Sequence, residues 1–430
     1  MLKLGISCLY SYPLFNPDCR SPFGGSEVRL WLIARELAKS GRFDVNVIVF
    51  DHGQPWVEQR QGVKIYARPG VKCPLTVVPE GDLDRASLRS RLPGSGRCSN
   101  WLVTKTRAAG SRIARRWRSV KWRRPLGPIG EYKIDEGSVD LYDEIGADIY
   151  IMHGNNLPAA EMACYCKNRR RKMVFLAGSD GDYHPGYKEN PQAIGIYGLP
   201  GYLLNYAIEK AHAHVVQNER QQDLLRRVYG RNSVVVKNPV DLDRAFPRAA
   251  DADEILWIGK SDWIKRPEIV LDLAERLPEY RFTVIMTFSN PQIDEQCRAK
   301  ARRLPNVTLL DYVPFLEVEN RVASAKLLVN TSVFEGFPNT FLQAAKYGVP
   351  IVSHKVDPGE MLSRYGCGLV GEENPDVLAD NVRLLMGSAA LHADASDRCL
   401  RYLRDHHDKD KVIPQYENLL NVVASSESVL

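Results

Sequence analysis

Short apolar runs alternate with longer amphipathic stretches along nearly the whole chain, and this restricts the fold more than any other feature. A brief run rich in Val, Ile and Leu suits a strand buried on both faces, and such strands need helices to cover them. In the first half, strands are expected over residues 2–8, 45–50, 147–152, 172–177, 213–217 and 234–237. Helices are expected over 27–40, with Ser26 as N-cap and Gly41 as stop, and over 203–212 and 221–229. Residues 241–253 are polar and rich in turn formers, and a second strand–helix series follows at once. Its strands are expected at 254–258, 281–286, 307–310, 327–330 and 350–353, with a helix over 267–277. A chain of 430 residues is too long for one compact core. The reading is therefore α/β: two Rossmann-like doubly wound domains, 1–245 and 246–410, facing a central cleft, with an amphipathic helix in 411–430.

Composition narrows the class. Hydrophobic residues make up 44% and charged ones 26%, the balance of an ordinary globular protein. No apolar run approaches the roughly 20 residues that span a bilayer, and residues 1–7 read as a first strand, not a secretory signal. Nine cysteines without a Cys-x-x-Cys pair suit incidental thiols in a reducing cytosol, and a cytoplasmic location is expected. The net charge of +6 conceals an asymmetry: nine Lys and Arg and no acid lie within residues 104–124, so the remainder is slightly acidic. A nucleic-acid binder would spread its charge differently, so no such partner is expected.

In open α/β sheets, ligands sit beyond the carboxyl ends of the strands, which directs attention to three loops. Pro22-Phe23-Gly24-Gly25-Ser26-Glu27 follows the first strand; paired glycines allow close backbone approach, and the helix behind them favours an anion. Its spacing is not Gly-x-Gly-x-x-Gly, which argues against a dinucleotide-binding dehydrogenase. The strand at 254–258 delivers Lys260 and Lys265 to one loop, where two ammonium groups suit a diphosphate leaving group without a metal. By itself, such a loop would be read by default as a solvated basic surface. The third loop, from Phe334 to Asn339, opens a helix that Asn339 or Thr340 is expected to cap, leaving N–H groups for a phosphate. Glu335 in that loop and Gln343 one turn inside the helix offer an acid and an amide to two hydroxylated parts of one ligand.

The order of Gly24-Gly25-Ser26-Glu27, Lys260 with Lys265, and Glu335-Gly336-Phe337-Pro338-Asn339-Thr340 resembles glycosyltransferase family 4. Residues 213–219 and 236–241 resemble that family's recurring mid-chain segments, and the similarity spans all but roughly residues 51 to 140. The resemblance implies a GT-B architecture, its last helix packing back on the N-terminal domain, and a retaining hexosyltransferase acting on a nucleotide sugar. No cofactor and no metal are implied. Gly24 and Gly25 would approach the donor phosphate, Lys260 and Lys265 the pyrophosphate, Glu335 the transferred sugar and Gln343 the ribose. Backbone near Phe337, Asn339 and Thr340 would hold phosphates, and Tyr312-Val313-Pro314 would line the nucleobase pocket. Three departures stand out: Gln343 replaces a second glutamate, Arg266 a common glycine, and Ala177 the histidine of a His-Gly-Ser-Asp segment. Asp180 ends that segment, and His153, after its strand, is the substitute candidate facing sugar or acceptor.

The resemblance further implies a glycan or lipid-linked acceptor in cell-surface polysaccharide or glycolipid synthesis. Alternatives are a GT-B nucleotide-sugar epimerase or hydrolase and a non-catalytic relative. Residues 104–124 are expected to form a helix with Trp117 on its apolar stripe and Arg112, Arg115, Arg116, Arg118 and Lys121 around it, Trp122 beside them. Such a segment suits the surface of an anionic membrane, which makes peripheral attachment the expectation; a helix packed on the protein with a solvated basic face is the alternative.

Overall fold

The computed structural model describes residues 1–72, 126–195, 198–243, 246–249 and 251–426. The chain builds two sheets in succession. The first contains β1 (Leu2–Ser7), β2 (Phe43–Asp51), β3 (Val57–Arg60), β4 (Val63–Lys72), β5 (Ile149–His153), β6 (Lys172–Leu176), β7 (Ala213–Val216) and β8 (Val234–Val235). Their order is β3-β4-β2-β1-β5-β6-β7-β8, and every pairing is parallel except the β3–β4 hairpin. The hairpin turns through Gln61 and Gly62, both at positive φ, as a two-residue connection requires. The second sheet contains β9 (Glu254–Lys260), β10 (Arg281–Thr287), β11 (Val307–Leu310), β12 (Ala325–Asn330), β13 (Ile351–Ser353) and β14 (Gly368–Val370). It is parallel throughout, in the order β11-β10-β9-β12-β13-β14.

Both sheets are covered on two faces, so alternate residues of a strand enter different cores. Ile149 and Ile151 join one cluster while Tyr150 and Met152 join the other. In the second unit Ile255 and Trp257 face one way and Leu256 the other. This two-sided burial is why the strands read as unbroken apolar runs.

Between the units the chain crosses twice, side by side. The Val240 N–H donates to the His407 carbonyl at 2.7 Å, and the Lys409 N–H to the Val240 carbonyl at 3.0 Å. After the second crossing, helix Lys409–Ser425 returns to the first unit, where Val412, Tyr416, Leu420 and Val423 complete a core. The ammonium of Lys172 caps its end, donating to the carbonyls of Val423, Ala424 and Ser426, each at 2.7 Å.

Two local expectations need correction. Ser26 is not the N-cap of its helix, which runs Gly25–Lys39 behind Gly24. Glu27 explains the shift: its carboxylate accepts the Gly24 N–H and the Ser26 hydroxyl, each at 2.8 Å, so the helix starts earlier. Nor do Asn339 and Thr340 cap theirs; helix Asn339–Lys346 starts after Pro338, which offers no side-chain acceptor. The expected long loop at 80–100 and the basic segment at 104–124 lie outside the described residues. Among the described residues, no helix is long and apolar enough to cross a membrane.

Candidate active site

The chemistry-bearing loops of the C-terminal unit follow β9 and β12, neighbours in the sheet. Lys260 ends β9 and is exposed. The turn beyond is fixed by Asp262, whose carboxylate accepts the N–H groups of Ile264 at 3.1 Å and Lys265 at 2.9 Å. The Thr331 hydroxyl donates to the Lys265 carbonyl at 2.6 Å and accepts from the Trp257 indole at 2.9 Å. With its backbone thus held against the end of β12, Lys265 pairs through its ammonium with Glu335. The Ser332 hydroxyl donates to the same carboxylate oxygen at 2.8 Å. Arg266 sits at φ 48°, a left-handed conformation that costs a non-glycine residue about 1–2 kcal/mol. That geometry explains why glycine suits the position.

The helix beginning at Asn339 points its uncapped first turn at the other unit. The Asn339 amide donates to the Gly25 carbonyl, and a Cβ on Gly25 would stand 2.8 Å from the Asn339 nitrogen. At Gly336 glycine is required by close approach, since a Cβ there would meet the Gly178 carbonyl. Thr340 and Gln343 are partly buried on the same helix. Phe337 is different: its ring is buried against His407, centroids 4.7 Å apart. It is part of the core, and only its backbone remains for a ligand.

Tyr312, Val313 and Pro314 follow β11. Tyr312 is partly buried, which raises its phenol, and the groups that bear on it electrostatically are Cys19 and Arg20 of the N-terminal unit. Val313 packs on the C-terminal core, and Pro314 precedes helix Phe315–Ser324. Phe315 meets Phe23 and Trp31 edge-on, at 6.0 and 5.8 Å between centroids. The nucleobase candidates therefore stand where the two units touch.

Across the cleft, the N-terminal unit presents backbone held from behind. Asp182 is buried and accepts the N–H groups of Gly178 at 2.6 Å, Ser179 at 3.0 Å and Asn155 at 3.0 Å. Burial raises its carboxyl, and those N–H groups oppose the rise. Arg29, also buried, donates to the Ala177 carbonyl at 3.0 Å and to the Tyr416 hydroxyl at 2.9 Å, tying the segment to the returning helix. His153 lies beside Gly178. Burial, then the Arg29 charge, holds its imidazole down to about 3, so it is neutral at physiological pH. Asp180 pairs with Arg220 at 2.9 Å and lines a cavity of 620 Å³ together with Glu335.

The structure therefore brings Lys265 to Glu335, Gly25 to Asn339, and Asp180 into the cavity with Glu335. Phe337 stays behind the surface it supports, and His153 is half-buried at the end of β5. Sequence reasoning missed Arg29, Asp182 and Gln217, whose amide also donates to the Ala177 carbonyl, at 2.8 Å. Only the Asp-Gly-Asp run at 180–182 could have marked one of them.

Residues 252–388 match the family model of the glycosyl transferases group 1. The match covers most of the C-terminal unit. Lipopolysaccharide 1,6-galactosyltransferase of Salmonella typhimurium is 28% identical over 153 residues, a match covering 33% of this chain and 42% of that enzyme. The chain thus matches less than half the length of this curated relative. Solved structures extend the likeness to the whole fold. Sucrose-phosphate synthase from Thermosynechococcus elongatus superposes with a TM-score of 0.67 at 14% identity, covering 99% of this chain and 100% of that one. S. aureus TarM, solved with fondaparinux, α-GlcNAc-glycerol and UDP, gives 0.66 at 13% identity, with the same coverage. The lipopolysaccharide outer core galactosyltransferase WaaB gives 0.53 at 15%, over 98% of this chain and 99% of that one. The stretch that matches the group 1 model thus forms the second half of a GT-B fold.

Proposed function

We propose that the protein is a retaining, nucleotide-sugar-dependent hexosyltransferase that extends a cell-surface glycan. The observation that carries this reading is the Lys265–Glu335 pair at the carboxyl ends of β9 and β12, facing the other unit. A donor diphosphate would lie over Lys260, Lys265 and the uncapped N–H groups at Asn339 and Thr340, a cationic seat that needs no metal. Lys265 would leave Glu335 for the phosphate, freeing the carboxylate to accept hydrogen bonds from the transferred sugar. Gln343 would bond ribose, and Tyr312 to Pro314 would flank the base. Gly24 and Gly25 supply close backbone approach from the N-terminal unit.

As the bond between the anomeric carbon and the diphosphate breaks, charge develops on the leaving oxygen, where two lysines and a helix N-terminus are already placed. The acceptor hydroxyl attacks from the same face, its proton passing to the departing phosphate, so the new bond keeps the anomeric configuration. UDP bound to TarM and the galactose transferred by the Salmonella relative support trying uridine donors first. The acceptor is read as a glycan or lipid-linked glycan, and residues 104–124 as attachment to an anionic membrane surface.

A nucleotide-sugar panel, read by thermal shift and slow hydrolysis, tests the donor reading: one nucleotide sugar should raise the melting temperature and be hydrolysed, and none doing so contradicts it. NMR of the released sugar or product should show the donor's anomeric configuration; inversion excludes retention. Activity should persist with a chelator. Flotation with liposomes should require anionic lipid and fall with salt; salt-independent binding to neutral lipid, or no binding, removes the membrane role.

A further inference from the structure

The 620 Å³ cavity continues from Glu335 and Asp180 away from the proposed donor seat, toward the double crossing between the units. That volume falls within the range of roughly 300–1,000 Å³ typical of ligand sites. Its far wall is aromatic: Tyr365, Tyr402 and His406 pack against one another with centroids 4.7 to 5.1 Å apart. Phe334 lines the near end, backed by the half-exposed Trp263 at 5.7 Å.

Apart from Asp357, the charges lining this cavity are paired, Glu335 with Lys265 among them. Arg220 pairs with Asp180 at 2.9 Å, Lys237 with Glu219 at 3.7 Å, Arg364 with Glu360 at 3.3 Å and Lys355 with Glu373 at 2.7 Å. What remains is the negative charge of Asp357, which disfavours a phosphate, while donors and acceptors stand side by side on several walls, as hydroxyl groups require. The remaining wall is a stiff turn. Gly359 and Glu360 are both left-handed, at φ 63° and 56°, and Asp357 ties the chain beyond them by accepting the Leu362 N–H at 2.8 Å and the Ser363 N–H at 3.1 Å. A strained turn held in place beside a ligand-sized space is a feature of binding sites.

From these features we infer that the cavity is a subsite for uncharged sugar residues of the acceptor, adjoining the one that receives the new linkage. The inference rests on the glycosyltransferase reading. It places much of the acceptor's recognition on the C-terminal unit, beyond β13, and not on the N-terminal unit alone. Sugar rings would stack on Tyr365 and Phe334 while their hydroxyls exchange with the paired charges.

The test is a microarray of neutral and phosphorylated bacterial glycans, probed with the full chain and with Tyr365→Ala and Arg364→Ala. Wild type should be retained by neutral glycans, and each variant should lose at least tenfold in apparent affinity while keeping its nucleotide-induced thermal shift. Retention by phosphorylated glycans alone, retention by none, or equal binding by wild type and both variants overturns the assignment. Arg364 is exposed, so its variant keeps the test valid if loss of Tyr365 disturbs folding. Hydrolysis of any nucleotide sugar of the panel by wild type without acceptor is the separate readout. Its presence without glycan binding sinks the subsite alone, and its absence with glycan binding sinks the transferase reading alone.

Discussion

The two units share a fold and divide the chemistry. On the C-terminal side are side chains with charge to offer, Lys260, Lys265 and Glu335, on loops braced locally by Asp262, Thr331, Ser332 and Trp257. The N-terminal side reverses the arrangement. There Arg29 and Asp182 are buried behind the surface, and what faces outward is the backbone of Gly24, Gly25 and Gly178. One unit supplies electrostatics on a plain scaffold; the other spends its polar side chains on shaping a surface. Changes in the first should therefore cost activity at constant stability, and changes in the second should cost both together.

Glu335→Gln is the largest expected effect. It removes the carboxylate without removing volume, so turnover should fall by about 10² to 10³-fold with the melting temperature nearly unchanged, as calorimetry and steady-state rates would show. Activity near wild type in that variant breaks the division. Asp182→Asn should behave as its opposite. The amide oxygen cannot replace a carboxylate accepting three N–H groups, so about 1.5–3 kcal/mol of stability should go, with activity falling alongside. A variant of normal denaturation midpoint would show that Asp182 does not hold the loop.

Acid separates the units by another route. Burial holds His153, His214 and His407 down to about 3 in the folded state, while the unfolded chain takes up those protons near pH 6.5. Their contribution is full above 6.5 and is lost as pH falls from there toward 3. Asp180 and Asp182, raised by burial, oppose the loss as pH falls from their raised values toward the ordinary carboxylate range, because there the folded state takes up their protons before the unfolded chain does. Two of the three histidines lie in the N-terminal unit and the third at the crossing. Hydrogen exchange at pH 5 against pH 7.5 should show protection falling first in β5 to β7; equal loss in β9 to β13 contradicts this. The smallest effect is Gln343→Glu, which should improve donor KM a few-fold if the position meets ribose as proposed, because a carboxylate makes a charge-assisted bond. A change in kcat with KM constant would place Gln343 elsewhere.

Sequence showed the second unit's chemistry more readily than the first's, and the division above explains why. Lys260, Lys265 and Glu335 are charged residues in short loops after apolar strands, so position and character coincide locally. The partners of Arg29 lie at Ala177 and Tyr416, far along the chain, and no local pattern marks such contacts. The strands were legible because burial on both faces leaves unbroken apolar runs. The β3–β4 hairpin was not, since β3 alternates exposed and half-buried residues and its turn carries Gln61 where Asn or Asp would be expected. The caps of the two cleft-facing helices were misread for a related reason. Glu27 does from within the helix what Ser26 was expected to do before it, and Asn339 is occupied across the cleft.

Isothermal titration of UDP into wild type, Lys260→Ala, Lys265→Ala and Asp182→Asn tests the central claim most directly, because it asks which unit carries the anion's charge. Each lysine variant should bind at least tenfold more weakly, and the wild-type affinity should fall as salt rises. Folded Asp182→Asn should stay within about threefold of wild type, since it contributes no charge to the diphosphate seat. Undiminished affinity in both lysine variants would contradict the assignment of the C-terminal unit as the electrostatic half of the site.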